Sequence, residues 1–183
     1  MLNFEKPSHT IEDLMALPED TRAELIDGEI VMMAPVAASH AEICAHLIIE
    51  AGSYLKNKKG PKDVDFWRIL TEAWTYYDEL NSFVHDIAGF SRQDLPKLPG
   101  TGPIHAKPIW VCEILSPSNQ KNDTLYKKKI LEQYQVPYYW IVDPRKKTIT
   151  VNQVIYSLGP KISKVRLAPF EDLELDLAKI FDI

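Results

Sequence analysis

The chain has 183 residues, 45% of them hydrophobic and 26% charged, with 7 glycines and 13 prolines. That length and composition suit a single domain over residues 1–183 and exclude collagenous, disordered and coiled-coil classes. Lys and Arg number 21 against 26 Asp and Glu, a formal net charge of −5, so a whole-surface basic footprint for nucleic acid is absent. Contact with a polyanion would need a local patch, such as residues 121–147, where 7 bases stand against 3 acids. The two cysteines, Cys44 and Cys112, lie in apolar sequence with no CxxC, the usage of buried thiols in a reducing compartment. The first residues have neither a basic region nor an apolar core, and no stretch approaches the ~20 apolar residues of a membrane span. A cytoplasmic protein is expected.

In chain order, Thr10-Ile-Glu-Asp13 before Leu14 reads as a capping box opening a short helix that ends near Pro18. Glu24 to Met32 holds two extended runs separated by Asp27-Gly28, a hairpin signal because both residues tolerate the positive φ of a primed turn. Ile43, Leu47, Ile48, Ala51 and Leu55 recur at helical spacing over 38–58. Lys56-Asn-Lys-Lys59-Gly60-Pro61 follows as a stop. The segments 66–70, 73–77 and 83–87 read as three antiparallel strands, with a turn at Asp78-Glu-Leu-Asn81. Residues 92–108, with four prolines, form a connecting loop. Ile109–Leu115 and Tyr138–Asp143 are nearly continuous apolar runs, the signature of central strands buried on both faces. Between them, Asp123–Gln133 is expected to be a helix. Lys147–Val154 reads as an edge strand and 173–181 as a short amphipathic helix.

Glu113 is the most informative residue. A carboxylate inside an apolar strand is costly unless it is paired, protonated or bound to a cation. Asp86, at the end of Phe83-Val-His-Asp86, poses the same problem on a second strand. Two such acids on neighbouring strands suit a hard divalent cation, since Mg²⁺ takes one or two carboxylates together with waters and phosphate. Lys127, four residues after Asp123, would share its helix face and bring a cation toward charge developing on a phosphate. The structural alternative is a pair of strand-end acids neutralised by lysines, with no chemistry.

At these residues the sequence resembles a known family. Glu24-Leu-Ile-Asp-Gly-Glu29, Ser39-His40, His85-Asp86, Trp110-Val-Cys-Glu113-Ile-Leu-Ser-Pro-Ser118, Asp123 with Lys127, and Val136 to Pro144 are similar to the Uma family of bacterial restriction-endonuclease-like domains, within the PD-(D/E)XK nuclease superfamily. The resemblance covers nearly the whole chain. It implies an α/β (α+β) fold with a mixed central sheet flanked by helices and an N-terminal β-hairpin. It also implies a Mg²⁺- or Mn²⁺-dependent phosphodiesterase centre in which Asp86 and Glu113 match the two acidic motif positions. His85 stands where the motif has proline. Leu115 stands where the superfamily's lysine follows the acid, and Lys127 matches the helix lysine that takes its place. Leu131, Gln135 and Tyr138 replace the residues more common around the helix and the strand after it.

The function expected on this basis is DNA cleavage. Asp86, Glu113 and the backbone carbonyl of Ile114 would hold the metal, Lys127 would position the attacking water, and a homodimer would cut both strands of a duplex. The alternative from another class is a degenerate nuclease fold that binds nucleic acid without chemistry, which the absence of lysine at Leu115 favours. Glu72 is a candidate third acid. Asp123 reads as a helix N-terminal acid facing Lys127. His40 and Cys44 lie one turn apart, but His46 falls on another face and no fourth ligand follows, so zinc is not expected. Ser116 and Ser118 lack a nucleophile-elbow context, and no phosphate-binding loop is present.

Overall fold

The computed structural model describes residues 8–57, 66–116, 122–160 and 162–182. The lysine-rich stop after the long helix, together with Ser118 and the side chain of Asp123, lies outside what is described. The first helix, α1 (Ile11–Met15), is closed by the expected capping box, Thr10 and Asp13 each bonding the other's backbone N–H. Strands β1 (Ala23–Ile26) and β2 (Glu29–Met32) form the hairpin. Asp27 and Gly28 both take positive φ, 51° and 74°, as a type I′ turn requires. The long helix α2 spans Ala38–Asn57.

Residues 66–78 depart from expectation. In place of two strands there is one, β3 (Trp67–Asp78), paired along its length with β4 (Asn81–Ser91). No turn-forming pair separates Leu70 from Ala73, so the backbone stays extended and takes up the irregularity at Glu72, which has φ 49°. Strand β5 (Trp110–Ile114) is buried throughout and runs parallel to β6 (Tyr138–Asp143). The intervening helix is split. Asn122–Lys127 is π-helical and α3 is only Lys128–Gln133. Strand β7 (Thr148–Val151) turns at Asn152-Gln153, both at positive φ, into β8 (Val154–Ser157). The edge strand of the sheet is therefore β8, not β7.

The C-terminal region differs most. Residues 170–176 are strand β10, paired with β9 (Lys164–Leu167), and helix α4 is confined to Leu177–Ile180. The inward residues Phe170, Leu173 and Leu175 are separated by acids, with spacings of three and then two across a register shift, a pattern that resembles a helical one over so short a run.

The main sheet runs β2-β1-β4-β5-β6-β7-β8, with β3 on the other edge of β4. It separates two cores. On one face Ile43 and Leu47 of α2 pack with Ile87, Cys112, Ile114 and the C-terminal hairpin. On the other, Ile130 and Leu131 of α3 pack with Phe83, Val111 and Tyr139. Gly89 admits the close approach of two indoles, since a Cβ there would lie 2.9 Å from Trp67 and 3.2 Å from Trp110. No helix among the described residues is long and apolar enough to cross a membrane.

Candidate active site

A gap in the sheet organises the polar residues. One edge of β4 is held by β1 at Ser82 and by β5 at Ile87, Ala88 and Gly89. Between these contacts β1 and β5 diverge, which would leave β4 backbone N–H groups without strand partners. Buried donors need acceptors, and two carboxylates supply them. Glu24 Oε1, from β1, accepts the N–H of Val84 at 2.9 Å. Glu113 Oε2, from β5, accepts that of Asp86 at 3.3 Å. Asp86 Oδ2 in turn accepts the N–H of Ile114 at 2.7 Å. The acids replace β-ladder bonds at the fork, which is why they are tolerated in apolar strands.

Lys127 enters the same gap from the end of the π-helical segment. Its Nζ lies 2.7 Å from Glu24 Oε1 and 3.6 Å from Glu113 Oε1, and 5.9 Å above the Phe83 ring. His40, from α2, places Nε2 3.1 Å from Asp86 Oδ1. Glu24, His40, Asp86, Glu113 and Lys127 border one pocket of about 220 Å³, with Glu72 and Ser116 at its wall. Asp86, Glu113 and Lys127 thus come together. Leu115 does not join them. It is buried and lines a separate groove of about 540 Å³ along α3 and β6 to β8. Lys128 and Lys146 line that groove too, and among the described residues Lys127 is the base of the segment 121–147 that lines the pocket. Glu72 is half exposed and pairs with Arg22.

The electrostatics follow from burial. Glu113 is 1% exposed. Burial, reinforced by the charges of Asp86 and Glu24 and opposed by Lys127 and the Asp86 N–H, pushes its carboxyl up to about 8. Burial lowers the His40 imidazole, but its hydrogen bond to Asp86 and the charges of Asp86, Glu113 and Glu72 outweigh that and leave it raised. His85 is fully buried and drops to about 3, through burial and the nearby Lys127. Cys44 is pushed up to about 11, first by burial and then by the charges of Asp86 and Glu72. Among the described residues no group of three or more His, Cys, Asp and Glu side chains is arranged around a metal position. Glu24 and His85 join the site beyond the residues expected from the sequence. Glu24 sits in a strand that is buried throughout, so the argument that singled out Glu113 applies to it equally.

A mixed sheet with helices on both faces is the architecture of the restriction-endonuclease-like fold. One solved structure that shares it is "a putative nuclease belonging to DUF820" from Anabaena variabilis ATCC 29413. The two match with a TM-score of 0.71 and 24% identity over 94% of this chain and 97% of that one. The chain belongs to the Uma2 family, described as "Putative restriction endonuclease", whose model matches residues 11–171. No curated protein matches it.

Proposed function

We propose that this protein is a Mg²⁺- or Mn²⁺-dependent endonuclease that hydrolyses DNA phosphodiester bonds through a PD-(D/E)XK-type site. The observation that carries the reading is the convergence of Asp86, Glu113 and Lys127 on one pocket in a chain of this family. The donor set suits a hard cation. Two carboxylates are what a Mg²⁺ site with retained waters asks of the protein. Within a strand a residue's N–H and C=O share an edge, so the Ile114 carbonyl opens on the side where its N–H meets Asp86. Burial above all, with the charges of Asp86 and Glu24 added, raises the proton affinity of Glu113 despite Lys127, and a divalent cation would favour its ionised form.

Asp86, Glu113 and the Ile114 carbonyl would hold the ion. Bound there, it would polarise the scissile phosphate and acidify the attacking water. Lys127, kept in place by Glu24, would orient that water and offset charge on the phosphate. A two-fold homodimer would bring one site to each strand of a duplex.

The test is cleavage of plasmid and short duplex DNA with Mg²⁺ or Mn²⁺, with Glu113→Ala, Asp86→Ala and sedimentation of the protein alone. Cutting by the wild type that both variants lose supports the reading. Equal cutting by Glu113→Ala overturns the site assignment. Binding of DNA at low salt with no cutting under either metal points instead to the degenerate, binding-only alternative, consistent with an aliphatic Leu115 where the motif has lysine.

A further inference from the structure

We propose that His85, braced by Tyr77, is a positioning residue that holds the Glu113 carboxylate in a fixed orientation by donating its Nδ1–H to Oε1. The inference rests on the metal-site reading above for its functional consequence, and on geometry alone for the brace. His85 Nδ1 lies 2.6 Å from Glu113 Oε1, and its Nε2 lies 2.8 Å from the Tyr77 hydroxyl. His85 is 0% exposed, Glu113 1% and Tyr77 8%, so no water competes for these bonds. The imidazole is also fixed as a plane. The Tyr77 and Phe83 rings meet it nearly edge-on at 5.9 and 6.0 Å, and Tyr134 packs on Tyr77 at 5.5 Å.

The hydrogen positions follow from donor and acceptor capacity. A carboxylate serving as a metal ligand is ionised and can only accept, so the hydrogen between the two groups belongs to Nδ1. A neutral imidazole has one N–H, which leaves Nε2 to accept the phenol hydrogen of Tyr77.

The direction of the brace matters for the site. His85 and Lys127 both engage Oε1, whereas Oε2 has the longer contact with the Asp86 N–H. The carboxylate is therefore held by one oxygen and presents the other on the Asp86 side. Outer-shell hydrogen bonds of this kind orient a ligand and commonly govern 10- to 100-fold in metal affinity.

The test measures Mn²⁺ affinity by calorimetry for the wild type, Tyr77→Phe, His85→Leu and His85→Asn, beside the melting temperature of each. His85→Leu is expected to weaken Mn²⁺ about 10- to 100-fold. His85→Asn, whose amide N–H falls close to the Nδ1 position, is expected to recover most of that loss. Tyr77→Phe retains the packing but frees the tautomer, and is expected to weaken binding by a smaller factor. Because Tyr77→Phe keeps the ring contacts, it decides the question even where His85→Leu does not fold. Unchanged Mn²⁺ affinity in folded variants, with only the melting temperature lowered, overturns the positioning role. A second arm records ¹⁵N spectra of His85 without metal at pH 9. A protonated Nδ1 and bare Nε2 support the brace, and the opposite tautomer overturns it. If the wild type binds no Mn²⁺ the metal reading fails, while the tautomer still decides the brace.

Discussion

Replacing Glu113 by Gln is expected to stabilise the metal-free protein, the reverse of the usual result for a fully buried, hydrogen-bonded residue. The native state holds a proton on Glu113 up to about pH 8, whereas the unfolded chain releases it near 4.5. Over that window the native state binds more protons than the unfolded state, so stability falls as pH rises. At pH 7 the penalty relative to a neutral side chain is about 3 kcal/mol, and at pH 5 about 1 kcal/mol. The Gln amide oxygen can keep the short bond from His85, but its NH₂ cannot accept from the Asp86 N–H, a loss of about 1 kcal/mol. The net gain at pH 7 is about 2 kcal/mol, a rise in melting temperature of about 4–8 °C for a chain of this length, and it nearly vanishes at pH 5. Calorimetric melting of both proteins in EDTA from pH 5 to 8 measures this directly. Added Mg²⁺ should then raise the wild-type melting temperature more at pH 8 than at pH 6, because the proton competes for Glu113, and should leave the Gln variant unmoved. A variant less stable than wild type at pH 7, or a difference that does not change with pH, refutes the reasoning.

Other consequences can be checked on the same material. Lys127→Met leaves Glu24, whose Oε1 lies 2.7 Å from Nζ, buried without its cation and should cost about 3–5 kcal/mol. Adding Glu24→Gln to that variant should recover part of the loss in urea melts, whereas additive losses would mean that Lys127 does not pair with Glu24. His40→Ala removes the partner of Asp86 Oδ1. Since the folded His40 pKa is raised above 6.5, its stabilisation is fully present below pH 6.5 and is lost as pH rises through the folded value. The substitution should therefore cost more at pH 6 than at pH 8.5, and an equal cost at both would contradict the pairing. Gly89→Ala forces a methyl group to within 2.9 Å of the Trp67 ring and should cost about 1–3 kcal/mol by overpacking. A neutral result in the same melts would show that the indoles have room to move.

The sequence was most legible where one physical requirement acts alone. The Asp27-Gly28 turn needs two residues at positive φ, and few pairs of residues provide them. The run Trp110–Ile114 lies between two neighbouring strands and two cores, so it must be apolar on both faces. The failures fall where two requirements compete. Residues 173–176 alternate as a strand should, yet the three-residue step from Phe170 to Leu173 also fits a helical face, and it is pairing with Lys164–Leu167 that decides between them. Residues 147–154 carry a legible strand, but which strand forms the edge depends on whether the chain returns after Asn152-Gln153, a choice made by the backbone turn and not by the strand itself.

The site divides in the same way. Asp86 and Glu113 stood out because an acid in an apolar strand demands a reason. The reason lies in the gap between β1 and β5, which no local pattern encodes. The gap requires acceptors at two successive N–H groups of one β4 edge, Val84 and Asp86, and draws one acid from each flanking strand to supply them. Glu24 and Glu113 are thus equivalent in backbone terms, although they lie 89 positions apart in the chain. They differ in what else reaches them. Glu24 bonds Lys127 most closely, whereas Glu113 also meets His85 and neighbours Asp86 across the fork. Burial first of all, opposed by Lys127 and reinforced by the charges of Asp86 and Glu24, raises the proton affinity of Glu113, which makes it the candidate to exchange its proton for a metal ion. Moving the second acid should move the property with it. In an Asp86→Asn protein Glu113 should titrate lower than in the wild type, as a carboxyl ¹³C titration of both would record. An unchanged midpoint would mean that burial alone sets its value.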